Sequence, residues 1–211
     1  FIPARVGDNA FNNPEYRRIL EGLTGWQRRA WLDGDWDIAA GQFFTQFRRD
    51  VHVVEDFDDL RAVEWFCAFD YGHVHYTVCL LGCRDGDGNT FVVDEHAERL
   101  WLPQRHATAI KAMLARHKIE DRSLTLADLK RFVAGADVFS RQSDGTTIAA
   151  QYARQGITLR CANTDRVNGW AEVMQGLGDI EGGVRPTLFV HKRCGRLIET
   201  LPALQHDPNR P

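Results

Sequence analysis

The apolar residues of this chain change rhythm near residue 60. Ahead of it they recur at helical spacing: after Pro14-Glu15-Tyr16, the side chains of Tyr16, Ile19, Leu20 and Leu23 share one face. Gly25 marks a stop. A second short helix over 27–32 ends at Gly34, and an extended stretch follows Gly41-Gln42-Phe43-Phe44 over 47–54. From Val63 the pattern becomes that of strands. Segment 63–71 is apolar on both faces, with Trp65, Cys67 and Phe69 opposed to Phe66 and Ala68. That predicts a central strand covered on both sides. Segments 74–81 and 90–94 predict two more strands, joined by the turn Asp85-Gly86-Asp87-Gly88-Asn89, to make an antiparallel meander.

Helices then alternate with strands. Over 103–117, Ala107, Ile110, Leu114 and His117 form one stripe. A short apolar strand is predicted over 132–138 and a helix over 146–155 with Gly156 as its stop. Beyond these come a strand over 157–161, a helix over 166–177, a strand over 187–190 and a helix over 196–201. In the helix over 166–177, Val167, Trp170, Val173, Met174 and Leu177 are expected to face inward. The order β-β-β-α-β-α-β-α-β-α predicts an α/β fold: one mixed sheet with helices on both faces over 61–211, preceded by a short helical linker over 1–60.

Composition narrows the classes. With 211 residues, 44% of them apolar and 26% charged, the chain is neither disordered, collagenous nor a coiled coil. No apolar run approaches the roughly 20 residues of a membrane span. The start, Phe1-Ile2-Pro3, has no initiator Met and no signal-peptide layout, and reads as a cut fragment of something longer. Net charge is −3, but it is uneven: 1–60 carries 7 Lys/Arg against 11 Asp/Glu, while 61–211 carries 19 against 18. A near-neutral domain still binds a polyanion through a local patch or a metal. Cys67, Cys79, Cys83, Cys161 and Cys194 form no Cys-x-x-Cys pair, which suits buried thiols in a reducing compartment.

Two aspartates carry the chemistry. Asp70 ends the first strand and Asp137 ends the apolar run from Phe132. If those strands are adjacent and parallel, the carboxylates meet at one sheet edge, repel each other, and are relieved by a divalent cation. Hard oxygen ligands point to Mg²⁺ or Mn²⁺. Two such ions, roughly 3.5–4 Å apart, would activate a water and stabilise a leaving oxygen in phosphodiester hydrolysis. The plain alternative is two unrelated strand-end acids. Gly72 leaves room for a phosphate or metal beside the backbone. Glu95, in Asp94-Glu95-His96, is an auxiliary candidate, and His73 and His75 are expected on one face of the second strand. Arg141, four residues past Asp137, is the best candidate for DNA contact. Lys130, Arg131, Arg166 and Lys192 are further ones, each with a solvated charge as its alternative. No Gly-x-x-x-x-Gly-Lys-Ser/Thr loop is present, so no ATPase activity is expected.

A distributed set of residues resembles one family. Tyr16-x-x-x-Leu20, Leu32-Asp33-Gly34-Asp35-Trp36 and Gly41-x-x-Phe44 come first. His52-Val53-Val54, Trp65 and Asp70-Tyr71-Gly72 follow, then Ala136-Asp137, Gly156-Ile157 and Arg166-Val167-Asn168-Gly169-Trp170. Cys194 and Leu197-Ile198-x-x-Leu201-Pro202 close the series. In this order they resemble the C-terminal nuclease domain of the large terminase subunit of tailed phages and prophages, a ribonuclease H-like fold. The resemblance implies a divalent-metal-dependent endonuclease that cuts concatemeric viral DNA during genome packaging. It implies three acids, of which Asp70 matches the first and Asp137 the second. It places the third in an Asp-His-x-x-Asp-Ala-x-Arg-Tyr-like stretch expected beyond Pro211, and Asp207 is a poor substitute. It also makes 1–60 the end of an ATPase region plus linker. Double-stranded DNA, a small terminase subunit and a portal are the implied partners, and the host bacterial cytoplasm the implied location. Another ribonuclease H-like enzyme of resolvase or transposase type, or a non-catalytic DNA-binding or assembly module, are the alternatives.

Overall fold

The computed structural model describes residues 14–21, 42–56 and 61–205. The features expected at Leu23, Gly25, 27–32, Gly34-Asp35-Trp36, Gly41 and Asp207 lie outside them. Helix α1 is Pro14–Glu21, and it buries Leu20 while leaving Ile19 exposed. The stretch expected to run extended over 47–54 is instead one helical turn, α2 (Arg49–His52), followed by the short strand β1 (Val53–Val54). His52 accounts for the turn: its ring is buried and its Nε2 donates to the Leu177 carbonyl at 2.9 Å.

The meander is β2 (Ala62–Asp70), β3 (Thr77–Asp85) and β4 (Thr90–Glu98). Its hairpin turn works as its composition predicts. Asp85 Oδ1 accepts the N–H groups of Asp87 and Asn89, and Gly88 supplies the positive φ of 85°. Strand β3 starts three residues later than expected, so His73 and His75 lie exposed in the loop before it rather than in the strand. Strand β4 runs four residues further than expected.

Helix α3 (Pro103–Ala115) follows, then a small hairpin of β5 (Lys118–Ile119) and β6 (Arg122–Ser123) that the sequence pattern did not reveal. Strand β7 (Leu129–Ala134) comes next, then α4 (Ile148–Arg154), β8 (Arg160–Cys161), α5 (Arg166–Leu177), β9 (Leu188–His191) and α6 (Gly195–Thr200). Thr147 caps α4 by accepting the Ala150 N–H, and Gly156, at φ 80°, lets the chain leave it.

The strands form one seven-stranded sheet in the order β1-β9-β4-β3-β2-β7-β8. The β2–β3 and β3–β4 pairs are antiparallel, and β2–β7, β7–β8, β4–β9 and β1–β9 are parallel. Residues 42–56, expected to belong to the linker, thus give the sheet an edge strand. They also give Phe44 and Phe47 to a cluster around Leu177.

Helices cover both faces, unevenly. On one face Trp65, Cys67 and Phe69 meet Cys79, Leu81 and Cys83, roofed by Ile110, Met113 and Leu114 of α3 and by Ile148 and Tyr152 of α4. On the other face α5 and α6 cover only the β4–β9–β1 half, through Leu177 and Ile198. The double cover expected for β2 is therefore absent: Phe66 is half-buried and Ala68 exposed, with no helix above them among the described residues. Helix α5 matches its predicted bounds but not its predicted face. Leu177 is buried and Val173 and Met174 are half-buried, while Val167 and Trp170 are exposed. The C-terminal end of α5 lies in the Phe44–Phe47–Leu188 cluster, while Trp170 reaches only its rim, with its ring 4.6 Å from that of Phe43.

A carboxylate pair at the end of the central strands

Strand pairing decides what sits beside Asp70. Strands β2 and β7 are parallel neighbours with Phe69 opposite Ala134, so both chains leave the sheet at the same end. Asp70 is the last residue of β2. Asp137 is not in a strand, as the pattern over 132–138 had suggested. It lies in a tight 3₁₀ turn, Ala136–Phe139, entered through Gly135. A Cβ at Gly135 would lie 2.5 Å from Asp137 Oδ1, so a side chain there would displace that carboxylate.

Both aspartates are exposed, and among the described residues neither carboxylate has a hydrogen-bond or ion-pair partner. The Asp70 carboxyl titrates above the ordinary aspartate value. Partial burial is the larger cause and the nearby Asp137 charge the second. The structure thus brings the two predicted acids within electrostatic reach. Among the described residues no group of three or more His, Cys, Asp or Glu forms a metal cluster.

Gly72 has a different role from the one its size suggested. The Gly72–Tyr76 loop folds back so tightly that a Cβ on Gly72 would lie 2.7 Å from the Tyr76 carbonyl oxygen. Thr77 closes the loop, donating its hydroxyl to the Gly72 carbonyl at 2.6 Å. The space beside Gly72 is filled by this chain's own backbone.

The trio Asp94-Glu95-His96 does not act together. Register shifts between Leu81 and Gly82 in the β3–β4 pair, and the local bulge turns Asp94 towards α3. Its buried carboxylate accepts two hydrogen bonds from Arg116 Nη2 at 3.0 Å, one from Arg116 Nε at 3.1 Å and one from the Glu95 N–H at 2.9 Å. His117 Nε2 lies 2.8 Å away and Arg193 Nη1 3.6 Å. Burial alone would push the Asp94 carboxyl up, but these partners hold it below the usual value. Glu95 points the other way and caps α6, accepting the Arg196 and Leu197 N–H groups at 3.0 and 2.8 Å. Its carboxyl is raised by burial despite those bonds. His96 Nε2 meets His106 Nδ1 at 2.8 Å in the interior, where burial and the neighbouring His96 lower His106 to about 4. Glu95 is thus a helix cap, and no contact joins it to Asp70.

The basic candidates scatter. Lys130 and Arg131 both pair with Glu64, at 2.7 and 3.0 Å. Arg131 stands opposite Phe66, four residues down β2 from Asp70, or about 13 Å along the strand. Lys192 lies on the far side of the sheet, 3.5 Å from Glu55. Arg166 leans on the Trp170 ring. Arg141 remains close, in the exposed loop between the Asp137 turn and α4, where it bridges to Thr147.

The three-strand meander continued by two parallel strands has the order of a ribonuclease H-like fold. The solved structures bear this out. The nuclease domain of the P22 large terminase superposes with a TM-score of 0.62 at 15% identity, covering 82% of this chain and 83% of that one. The large terminase of a thermophilic bacteriophage superposes with a TM-score of 0.60 at 17% identity over 97% of this chain. The chain spans about half of that terminase, 48% of its length. No protein-family model and no curated protein matches the sequence. At these identities the likeness shows the fold.

Proposed function

We propose that this chain is the metal-dependent endonuclease part of a phage or prophage large terminase, cutting concatemeric viral DNA during genome packaging. The observation that supports the reading most is the meeting of Asp70 and Asp137 at one end of adjacent parallel strands, within the fold shared with the P22 nuclease domain.

The residues fit a divalent cation. Two exposed carboxylates without cationic partners among the described residues offer hard oxygen ligands, and their mutual repulsion favours a bound Mg²⁺ or Mn²⁺. Such ions, two in the complete site, would supply a water made nucleophilic near neutral pH and charge stabilisation for the leaving oxygen. The chain's own part is to hold the ligands. The rigid end of β2 fixes Asp70, and the Gly135-led turn fixes Asp137. The Thr77-closed loop fixes the backbone that follows Asp70. In this reading a third carboxylate, which the resemblance places on a C-terminal helix, completes the site. The part of 1–60 ahead of residue 42 then belongs to the end of an ATPase region and its linker, while 42–56 join the sheet. Duplex DNA, a small terminase subunit and a portal are the partners, in the host bacterial cytoplasm. No helix among the described residues is long and apolar enough to cross a membrane.

Nicking of supercoiled plasmid tests this, with Mn²⁺ and then EDTA, on this chain and on one extended past Pro211. Cutting that requires metal and is lost in Asp70→Asn and Asp137→Asn supports the reading. Metal-independent cutting, or undiminished cutting in both variants, refutes the assigned site. A chain that binds DNA but never cuts, extended or not, is instead a docking module.

A further inference from the structure

The turn linking β4 to α3 exposes apolar and cationic side chains together. Within seven residues it presents Arg99, Leu100, Trp101, Leu102 and Arg105. Leu100 is 63% exposed and Leu102 69%. Leu100 also sits at φ 63°, a left-handed conformation that branched apolar residues rarely adopt. Its N–H donates to the His73 carbonyl at 2.8 Å, tying the turn to the loop that follows Asp70. That loop adds Val74, which is 70% exposed.

Three guanidiniums lie over aromatic rings of this turn and of the loop tied to it. Arg105 lies 3.7 Å from the Trp101 ring centre, and Arg196 and Arg99 lie 3.7 and 5.5 Å from that of Tyr76. Among the described residues none of the three makes an ion pair. Glu98 and Glu199 line the adjacent groove, and Glu95 is committed to the α6 backbone. The register places the tip at the Asp70 end of the sheet. Asp70 is opposite Val78, and Val78 is opposite Ala97, so the end of β4 is two strands away, about 10 Å.

We propose that this turn is a duplex-DNA-engaging element that seats the substrate beside the carboxylate pair; this rests on the nuclease reading. Arg99, Arg105 and Arg196 take backbone phosphates, their planes held by the aromatic rings beneath them. Leu100 and Leu102 press into the minor groove as an apolar wedge flanked by cations. The arginine contacts are sequence-independent and salt-sensitive.

Fluorescence anisotropy with a labelled duplex in EDTA, titrated with salt, tests the proposal without cutting. Arg99→Ala, Arg105→Ala and Arg196→Ala are each expected to reduce the log–log salt slope by about 0.9. Leu100→Gly, which suits the left-handed backbone and so keeps the fold, is expected to weaken binding with the slope unchanged. It should also abolish the brightening of a 2-aminopurine reporter in the duplex. Arg84→Ala, at the other end of the β3–β4 hairpin, should change nothing. Wild-type slope in all three arginine variants overturns the proposal, as does an undiminished reporter signal in Leu100→Gly. Absence of duplex binding by the wild type overturns it too, and would leave the tip as a surface for another protein. If the tip variants behave as wild type while Asp70→Asn abolishes cutting, the DNA-engaging role fails and the nuclease reading stands. If the tip variants lose binding as expected while Asp70→Asn cuts undiminished, DNA engagement stands and the assigned nuclease site fails.

Discussion

Two acidic sites lie on the central strands, one at the end of β2 and one midway along β4, and physically they are opposites. Asp94 is buried, bound by Arg116, His117 and a backbone N–H, and its carboxyl is held below the usual range. Asp70 and Asp137 are exposed and lack partners among the described residues, and Asp70 is pushed up, first by its partial burial and second by the Asp137 charge. A protein that only needed stability would supply a cation to the second site as it does to the first. In the proposed function the two carboxylates are left unpaired so that their oxygens can take an external cation.

Four substitutions and one pH series would break or sharpen this contrast. The largest effect is expected at the pair. Asp70→Asn or Asp137→Asn should lower metal-dependent nicking about 100-fold or more, since even residues that merely orient metal ligands are worth 10–100-fold. Thermal melting of both variants should be unchanged or slightly raised. Asp94→Asn should do the reverse. Losing hydrogen bonds from a charged, buried acceptor costs about 2–3 kcal/mol, or about 5–10 °C in Tm for a chain of this length, read by calorimetry.

Acid titration separates the sites by sign. Asp94 releases its proton more readily folded than unfolded, so its contribution is complete above the ordinary carboxylate pKa and disappears as pH falls through its lowered value. Asp70 holds its proton more tightly when folded. Its contribution is therefore present at low pH and is lost as pH rises from 3.8 through its raised value. Stability measured by denaturant against pH should show a weaker acid-side loss in Asp94→Asn and a slightly higher neutral plateau in Asp70→Asn. The smallest effect is expected at Glu95→Gln. It removes the negative charge at the start of α6 and one accepted bond, costing about 1 kcal/mol in urea unfolding with nicking retained. Loss of nicking there with Tm intact would instead return Glu95 to the metal site.

The sequence carried the scaffold of the site better than its surroundings. The run over 63–71, apolar on both faces, and the run around Phe132 marked the two strands whose parallel pairing sets Asp70 near Asp137. The bounds of α5 were legible from period alone, but its buried face was not. Which face packs depends on where Phe44 and Phe47 arrive, and those lie far away in sequence. The fate of Asp94, Glu95 and His96 was hidden for a similar reason. One bulged residue in β4 decides that Asp94 turns to α3, and a bulge leaves no mark in a hydrophobic pattern. Lys130 and Arg131 read as free cations because Glu64, their partner, is 66 residues from Lys130 in sequence. Short strands such as β1, β5 and β6 have too few residues to show a period.

The central claim is that Asp70 and Asp137 jointly hold a divalent cation. Titration of Mn²⁺ into the wild type, Asp70→Asn and Asp137→Asn, followed by electron paramagnetic resonance of the free ion, tests it directly. The account predicts a bound fraction in the wild type that each single substitution weakens at least tenfold, with Asp94→Asn and Glu95→Gln binding as wild type wherever they remain folded. Equal Mn²⁺ uptake by the wild type and both pair variants would contradict it.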